Sequence, residues 1–139
     1  MERTCGSTRP CGNIDMNLII GGAYQGKLEY AEEVFGKQEV FTCSPERAEL
    51  DFSKPVLYHL EDFVLACVRE GIEAREYLRQ HRPELDGKVI ICTDISQGIV
   101  PVETQMRALR EMTGRAMVYL AKEADTVTRV FCGLGQKLK

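Results

Sequence analysis

Residues 88–94, "KVIICTD", hold four consecutive apolar side chains in a stretch too short for a typical helix. A strand points successive side chains to opposite faces, so this run is apolar on both. A strand buried on both faces belongs to a sheet with layers packed on each side, and such sheets are mostly parallel. The rest of the chain supplies the parts. "MNLIIGG" (16–22), "EVFTCS" (39–44), "PVLYHL" (55–60) and "TVTRVFCG" (126–133) read as further strands. Helical spacing fills the gaps. Leu28, Ala31, Val34 and Phe35 predict a helix over 27–35. Phe63, Cys67, Ala74 and Leu78, beside Val64, Val68 and Ile72, predict one helix over 61–80, with Gly71 its weak point. After Pro101, Val102, Met106, Leu109, Met112, Ala116 and Leu120 step along a last helix. "PERAELDFSK" (45–54) has no period, and "RPELDG" breaks the chain. The expectation is an α/β fold, a mainly parallel sheet with helices on both faces.

The 139 residues suit a single domain over 16–139, preceded by a flexible tail over 1–15. Apolar content of 44% and charged content of 28% are ordinary for a soluble globular chain. A net charge of −3 offers no nucleic-acid or membrane surface, and no apolar run reaches the ~20 residues of a membrane span. The first fifteen residues lack the apolar centre of a secretory signal. Six cysteines, none in a CxxC pair, read as reduced thiols of a cytoplasmic protein, four of them within apolar segments. Cys5 and Cys11 could form a metal or redox pair, but no further ligands sit beside them.

Gly21-x-x-x-x-Gly26-Lys27 joins the first strand to the first helix with phosphate-loop spacing. Glycines there let backbone N–H groups turn toward phosphate oxygens, and the helix N-terminus adds partial positive charge. The stretch Gly21, Gly22, Ala23, Tyr24, Gln25, Gly26, Lys27 and Leu28 is therefore the candidate nucleotide site, with Lys27 reaching the terminal phosphates. Leu28 stands where such loops carry the Ser or Thr hydroxyl that helps hold Mg²⁺. The plainer reading is a glycine-rich turn with a surface lysine.

The C-terminal part carries a resemblance. Thr93-Asp94-Ile95-Ser96-Gln97-Gly98-Ile99-Val100-Pro101, Thr113-Gly114-Arg115, Ala124-Asp125-Thr126-Val127, and Cys132-Gly133-Leu134 with Lys137-Leu138-Lys139 follow one another in order. Together with "GGAYQGKLEYAEE", they resemble the adenosylcobinamide kinase/adenosylcobinamide-phosphate guanylyltransferase family of cobalamin biosynthesis. That resemblance covers nearly all of 16–139, most weakly in the middle. It implies a RecA-like P-loop fold. It also implies ATP- or GTP-dependent phosphorylation of adenosylcobinamide, a corrinoid small molecule, with Mg²⁺, in a homo-oligomer. The family then transfers GMP through a guanylylated histidine on a helix between the second and third strands. Residues 28–57 contain no histidine, so that step is expected to be absent.

On the same resemblance His59 takes the family's acidic position at the end of the third strand, with Glu61 and Asp62 just beyond. His59 is then either a base or polar contact near the γ-phosphate or a hydrogen-bonded strand-end histidine. Asp94, at the next strand end, is the leading carboxylate for Mg²⁺ or for orienting a hydroxyl, with Glu61 as second metal candidate; either could instead cap a loop or helix. Ser44 is a candidate nucleotide contact, and Arg115 a site or subunit-contact residue. The expected catalytic set is Lys27, Asp94 and His59. Two functions follow: an adenosylcobinamide kinase without the guanylyl step, or a nucleotide-binding or regulatory homologue with impaired catalysis.

Overall fold

The computed structural model describes residues 15–94 and 104–139, and side chains outside 104–105 within them. The tail over 1–14, Pro101 and Val102, and the motif residues from Ile95 on to Pro101 lie outside the described residues. Six strands form one sheet in the order β2-β3-β4-β1-β5-β6. These are β1 (Asn17–Gly21), β2 (Val40–Thr42), β3 (Val56–Tyr58), β4 (Val89–Thr93), β5 (Thr126–Phe131) and β6 (Leu134–Lys137). The first five run parallel, and β6 pairs antiparallel with β5. The helices are α1 (Lys27–Phe35), α2 (Leu60–Glu70), α3 (Ala74–Gln80) and α4 (Thr104–Glu123).

Both faces of the sheet are buried, as the run at 88–94 requires. On one face Leu18, Leu57, Ile90, Cys92 and Val127 pack with Phe63, Leu78, Ala116 and Leu120 of α2, α3 and α4. On the other, Ile19, Val56, Ile91 and Val130 pack with Ala31, Leu28 and Phe35 of α1. Adjacent residues of β1, β3 and β4 go to opposite clusters, the two-residue period of a strand. The chain leaves β1 toward β2 on one side of the sheet and leaves β4 toward β5 on the other. With right-handed crossovers these opposite directions put α1 and α4 on opposite faces. The gap between β1 and β4 is thus the switch point where a crevice opens at the strand ends.

The strands expected over 39–44 and 55–60 are shorter, Val40–Thr42 and Val56–Tyr58, and two further elements differ more. The helix expected over 61–80 is two helices. Gly71 takes φ 74°, ψ 26°, and caps α2 by donating its N–H to the Val68 carbonyl. The stripe still holds, because Phe63, Cys67, Ala74 and Leu78 are all fully buried. The strand expected over 126–133 stops at Phe131. Cys132 and Gly133 both have positive φ and form a two-residue hairpin turn into β6. Among the described residues no helix is long and apolar enough to cross a membrane.

Two measurements check this packing. Gly71→Ala should destabilise the protein by about 1 kcal/mol in urea unfolding, because φ is positive there. In an unbroken helix the same change would stabilise by a similar amount. Burial pushes the Cys43 and Cys67 thiols up to about 12, and Cys92 well above its usual range. The unfolded thiols ionise near pH 9, so their contribution to stability is full below that pH and is lost as pH rises toward 12. In the native protein at pH 8, aromatic disulfide reagents should label exposed Cys132 and spare these three until denaturant is added.

Candidate functional site

The loop between β1 and α1 closes around Lys27. Gly26 caps α1 in the left-handed region with φ 84°, so the N–H groups of the first helical turn face outward from the helix end. Lys27 is 6% exposed, and its Nζ donates to the Gly22 carbonyl at 2.6 Å. It is therefore not a surface lysine. Burial pulls its ammonium below the ordinary lysine range, and the Glu61 carboxylate is the strongest influence in the opposite direction. Gly21 cannot carry a side chain here, because a Cβ would stand 2.5 Å from the Val130 carbonyl oxygen.

A cleft of about 580 Å³ opens beside the loop, walled by Ala23 to Lys27 on one side and Tyr58, His59, Glu61 and Thr93 on the other. Glu61 organises the second wall. Its Oε1 accepts the Thr93 N–H at 2.9 Å, and its Oε2 lies 2.9 Å from His59 Nδ1. An ionised carboxylate only accepts, so this contact calls for a hydrogen on His59 Nδ1 and leaves Nε2 turned away from Glu61. The His59 ring also lies against Tyr58, with centroids 3.9 Å apart.

Backbone strain concentrates at this site. Among the described residues the non-glycine positions with positive φ are Tyr24, His59 and Cys132. Tyr24 and His59 both border the cleft. Cys132 donates its N–H to Gln25 Oε1 at 2.7 Å, while Gly133 donates to the Gln25 carbonyl at 2.8 Å. Strained residues persist where the surrounding structure holds them, and they concentrate at functional sites. The β5–β6 hairpin thereby clamps the loop through Gln25.

His59, Glu61 and Asp62 can place one ligand atom each within 4.8 Å of one another. Burial, and then Glu61, raise the Asp62 carboxyl above its usual range, with His59 acting against them. A cation at this cluster would relieve that repulsion. The two carboxylates suit a hard cation such as Mg²⁺, and the imidazole suits a softer one.

Several candidates lie elsewhere. Asp94 does not line the loop cleft. Its N–H donates to the Gly21 carbonyl at 2.7 Å, and its side chain borders a separate pocket against α4. The strand period explains this, since Asp94 shares its parity with Ile90 and Cys92, which pack on the α4 side. Ser44 borders another cleft with Phe41, Arg47 and Leu50, and its Oγ accepts the Glu46 N–H. Leu28 packs against the α1-face core and not in the cleft. Arg115 forms a two-pronged contact with Glu73 at 3.0 and 3.1 Å, joining α4 to the α2–α3 corner. Glu61 is the carboxylate that reaches the loop cleft from the facing elements, beside Glu29 of α1, and Thr93, Tyr58 and the Gln25–hairpin contacts complete the site.

No protein-family model matches the chain, and a search of curated proteins finds no match to it.

The Glu61–Lys27 coupling can be read directly. Removing the carboxylate charge in Glu61→Gln should lower the Lys27 pKa further, since Glu61 holds it up against burial. Carbon-13 NMR of the lysine ε-methylene should show this, and an unchanged value would place the two groups out of electrostatic reach.

Proposed function

We propose that the chain is a RecA-like P-loop nucleotide-binding protein that phosphorylates a small alcohol, of the adenosylcobinamide kinase type and without guanylyl transfer. The observation that carries this reading is Lys27, buried at a glycine-rich strand-to-helix loop and turned inward onto the Gly22 carbonyl. A triphosphate entering the loop would take that ammonium and the α1 N–H groups as donors, replacing the single internal contact. The location supports the reading too, because the loop sits at the switch point of a parallel sheet.

Phosphoryl transfer needs an acceptor oxygen to attack the γ-phosphorus as the bond to the β-phosphate oxygen breaks. The nucleoside diphosphate leaves, and the hydroxyl proton passes to a base. His59 fits that base, with Nδ1 held by Glu61 and Nε2 turned away from it. Glu61 and Asp62 would hold Mg²⁺, which would supply charge neutralisation on the triphosphate. Residues 43–55, between β2 and β3, contain neither helix nor histidine, consistent with a missing guanylyl step.

A second reading is a nucleotide-binding protein without turnover. Leu28 favours it, since this position faces the core and offers no hydroxyl to a metal.

ATP and GTP binding, measured by calorimetry with and without Mg²⁺, should give a saturable site in the wild type. Lys27→Ala should weaken it tenfold or more. Transfer of labelled γ-phosphate to adenosylcobinamide would establish the kinase, and tight binding without transfer would select the second reading. Normal affinity in Lys27→Ala would remove the loop from both.

A further inference from the structure

A pocket of about 190 Å³ lies between the end of β4 and α4, bordered by Thr93, Asp94, Arg110, Thr113 and Gly114. Thr113 is 5% exposed, and its Oγ1 is buried with no hydrogen-bond partner among the described residues. A buried hydroxyl in a native fold ordinarily has a partner, and this one lies in the wall of a cavity beside a carboxylate. Arg110 and Gly114 also border a larger groove of about 670 Å³ between α3 and α4. A Cβ built on Gly114 would meet nothing within 4 Å, so no side chain stands at this residue that both cavities share.

The groove is strongly cationic in an otherwise acidic chain. Arg75, Arg79, Arg110, Arg115 and Lys122 line it against one acid, Glu111, while the whole chain carries a net charge of −3. Arg79 and Arg115 are held in place by Glu76 and Glu73. Arg75 differs, because its Nε is shielded from solvent and has no acceptor among the described residues. Arg75 is one residue of the groove lining, and several arginines together match the multiple oxygens of a phosphate. The groove and the pocket are thus each lined by a residue, Arg75 or Thr113, with a buried polar atom that lacks a partner among the described residues.

We propose that the two cavities form one binding site for a phosphorylated hydroxy compound, with the phosphate in the α3–α4 groove and the hydroxyl at Thr113 and Asp94. Thr93 borders both this pocket and the loop cleft, so the second ligand would sit next to the first. The site's own residues do not depend on nucleotide occupying the loop, so this inference and the nucleotide reading can fail separately.

The test is an NMR titration of the nitrogen-15-labelled chain with glycerol 3-phosphate and, separately, with inorganic pyrophosphate and glycerol. Saturable amide shifts at Arg75, Arg110 and Gly114 are expected with glycerol 3-phosphate and pyrophosphate, and none with glycerol. Arg75→Gln and Arg110→Gln should each lower glycerol 3-phosphate affinity tenfold or more. Thr113→Val keeps the side-chain shape and should cost glycerol 3-phosphate severalfold while sparing pyrophosphate. Lys27→Ala should leave these shifts in place. No saturation by either phosphate, or shifts that vanish with Lys27→Ala and ignore Arg75→Gln, would overturn the site. Equal losses for both phosphates in Thr113→Val would overturn the hydroxyl pocket. Should that variant not fold, the two arginine variants on the helix surface decide the outcome.

Discussion

The parallel register of β1 on β4, with Gly21 opposite Thr93, is the constraint on which the rest of this structure depends. It ends two central strands at the same level. Their connections then leave in opposite directions around the sheet, and a crevice opens between them. Two bonds fix that rim. Asp94 donates to the Gly21 carbonyl, and Thr93 donates to Glu61 at the start of α2. The backbone that ends β4 is thereby tied both to the glycine loop and to the acid that faces it. Gly21 must stay a glycine for the same reason, since β5 runs close beside it and the Val130 carbonyl fills the space of a Cβ.

That rim brings opposite charges into a partly dry place. Lys27 loses solvent and, among the described residues, has one neutral carbonyl as its hydrogen-bond partner, with Glu61 as the main balancing charge. Glu61 in turn orients His59 and shares its corner with Asp62, whose carboxyl is discouraged from ionising. A cation without full compensation and two crowded carboxylates are in tension until something binds. A polyanion would satisfy the lysine, and a metal ion would satisfy the acids. The residues with positive φ, Tyr24, His59 and Cys132, gather near the same place, where the β5–β6 hairpin grips Gln25.

Much of the scaffold was readable along the chain. The apolar run through Ile90 and Ile91 called for a doubly covered sheet, and both faces are covered. The periodicity of Leu28, Ala31 and Phe35 located α1 to the residue. Gly71 was visible as a weak point, but the buried stripe continued past it. Periodicity reports which residues are buried, and two helices packed on one sheet face keep the stripe that one helix would show. The hairpin at Cys132 was harder to see. A cysteine takes positive φ only because β6 and Gln25 hold it there, although the glycine beside it was a signal for a tight turn.

The sequence by itself determined the layered α/β architecture and the glycine loop at a strand-to-helix junction. These follow from local rules, namely side-chain period, turn chemistry and the space a glycine leaves. Only the tertiary structure decided which acid meets the loop. Asp94 and Glu61 both follow strand ends in the chain. Strand parity turns Asp94 toward α4, and the first turn of α2 swings Glu61 across the crevice to Thr93 and His59. The burial of Lys27 was decided in the same way. Glu61 and Thr93, which share its cleft, lie more than thirty residues away in sequence and leave no mark on the loop's own residues.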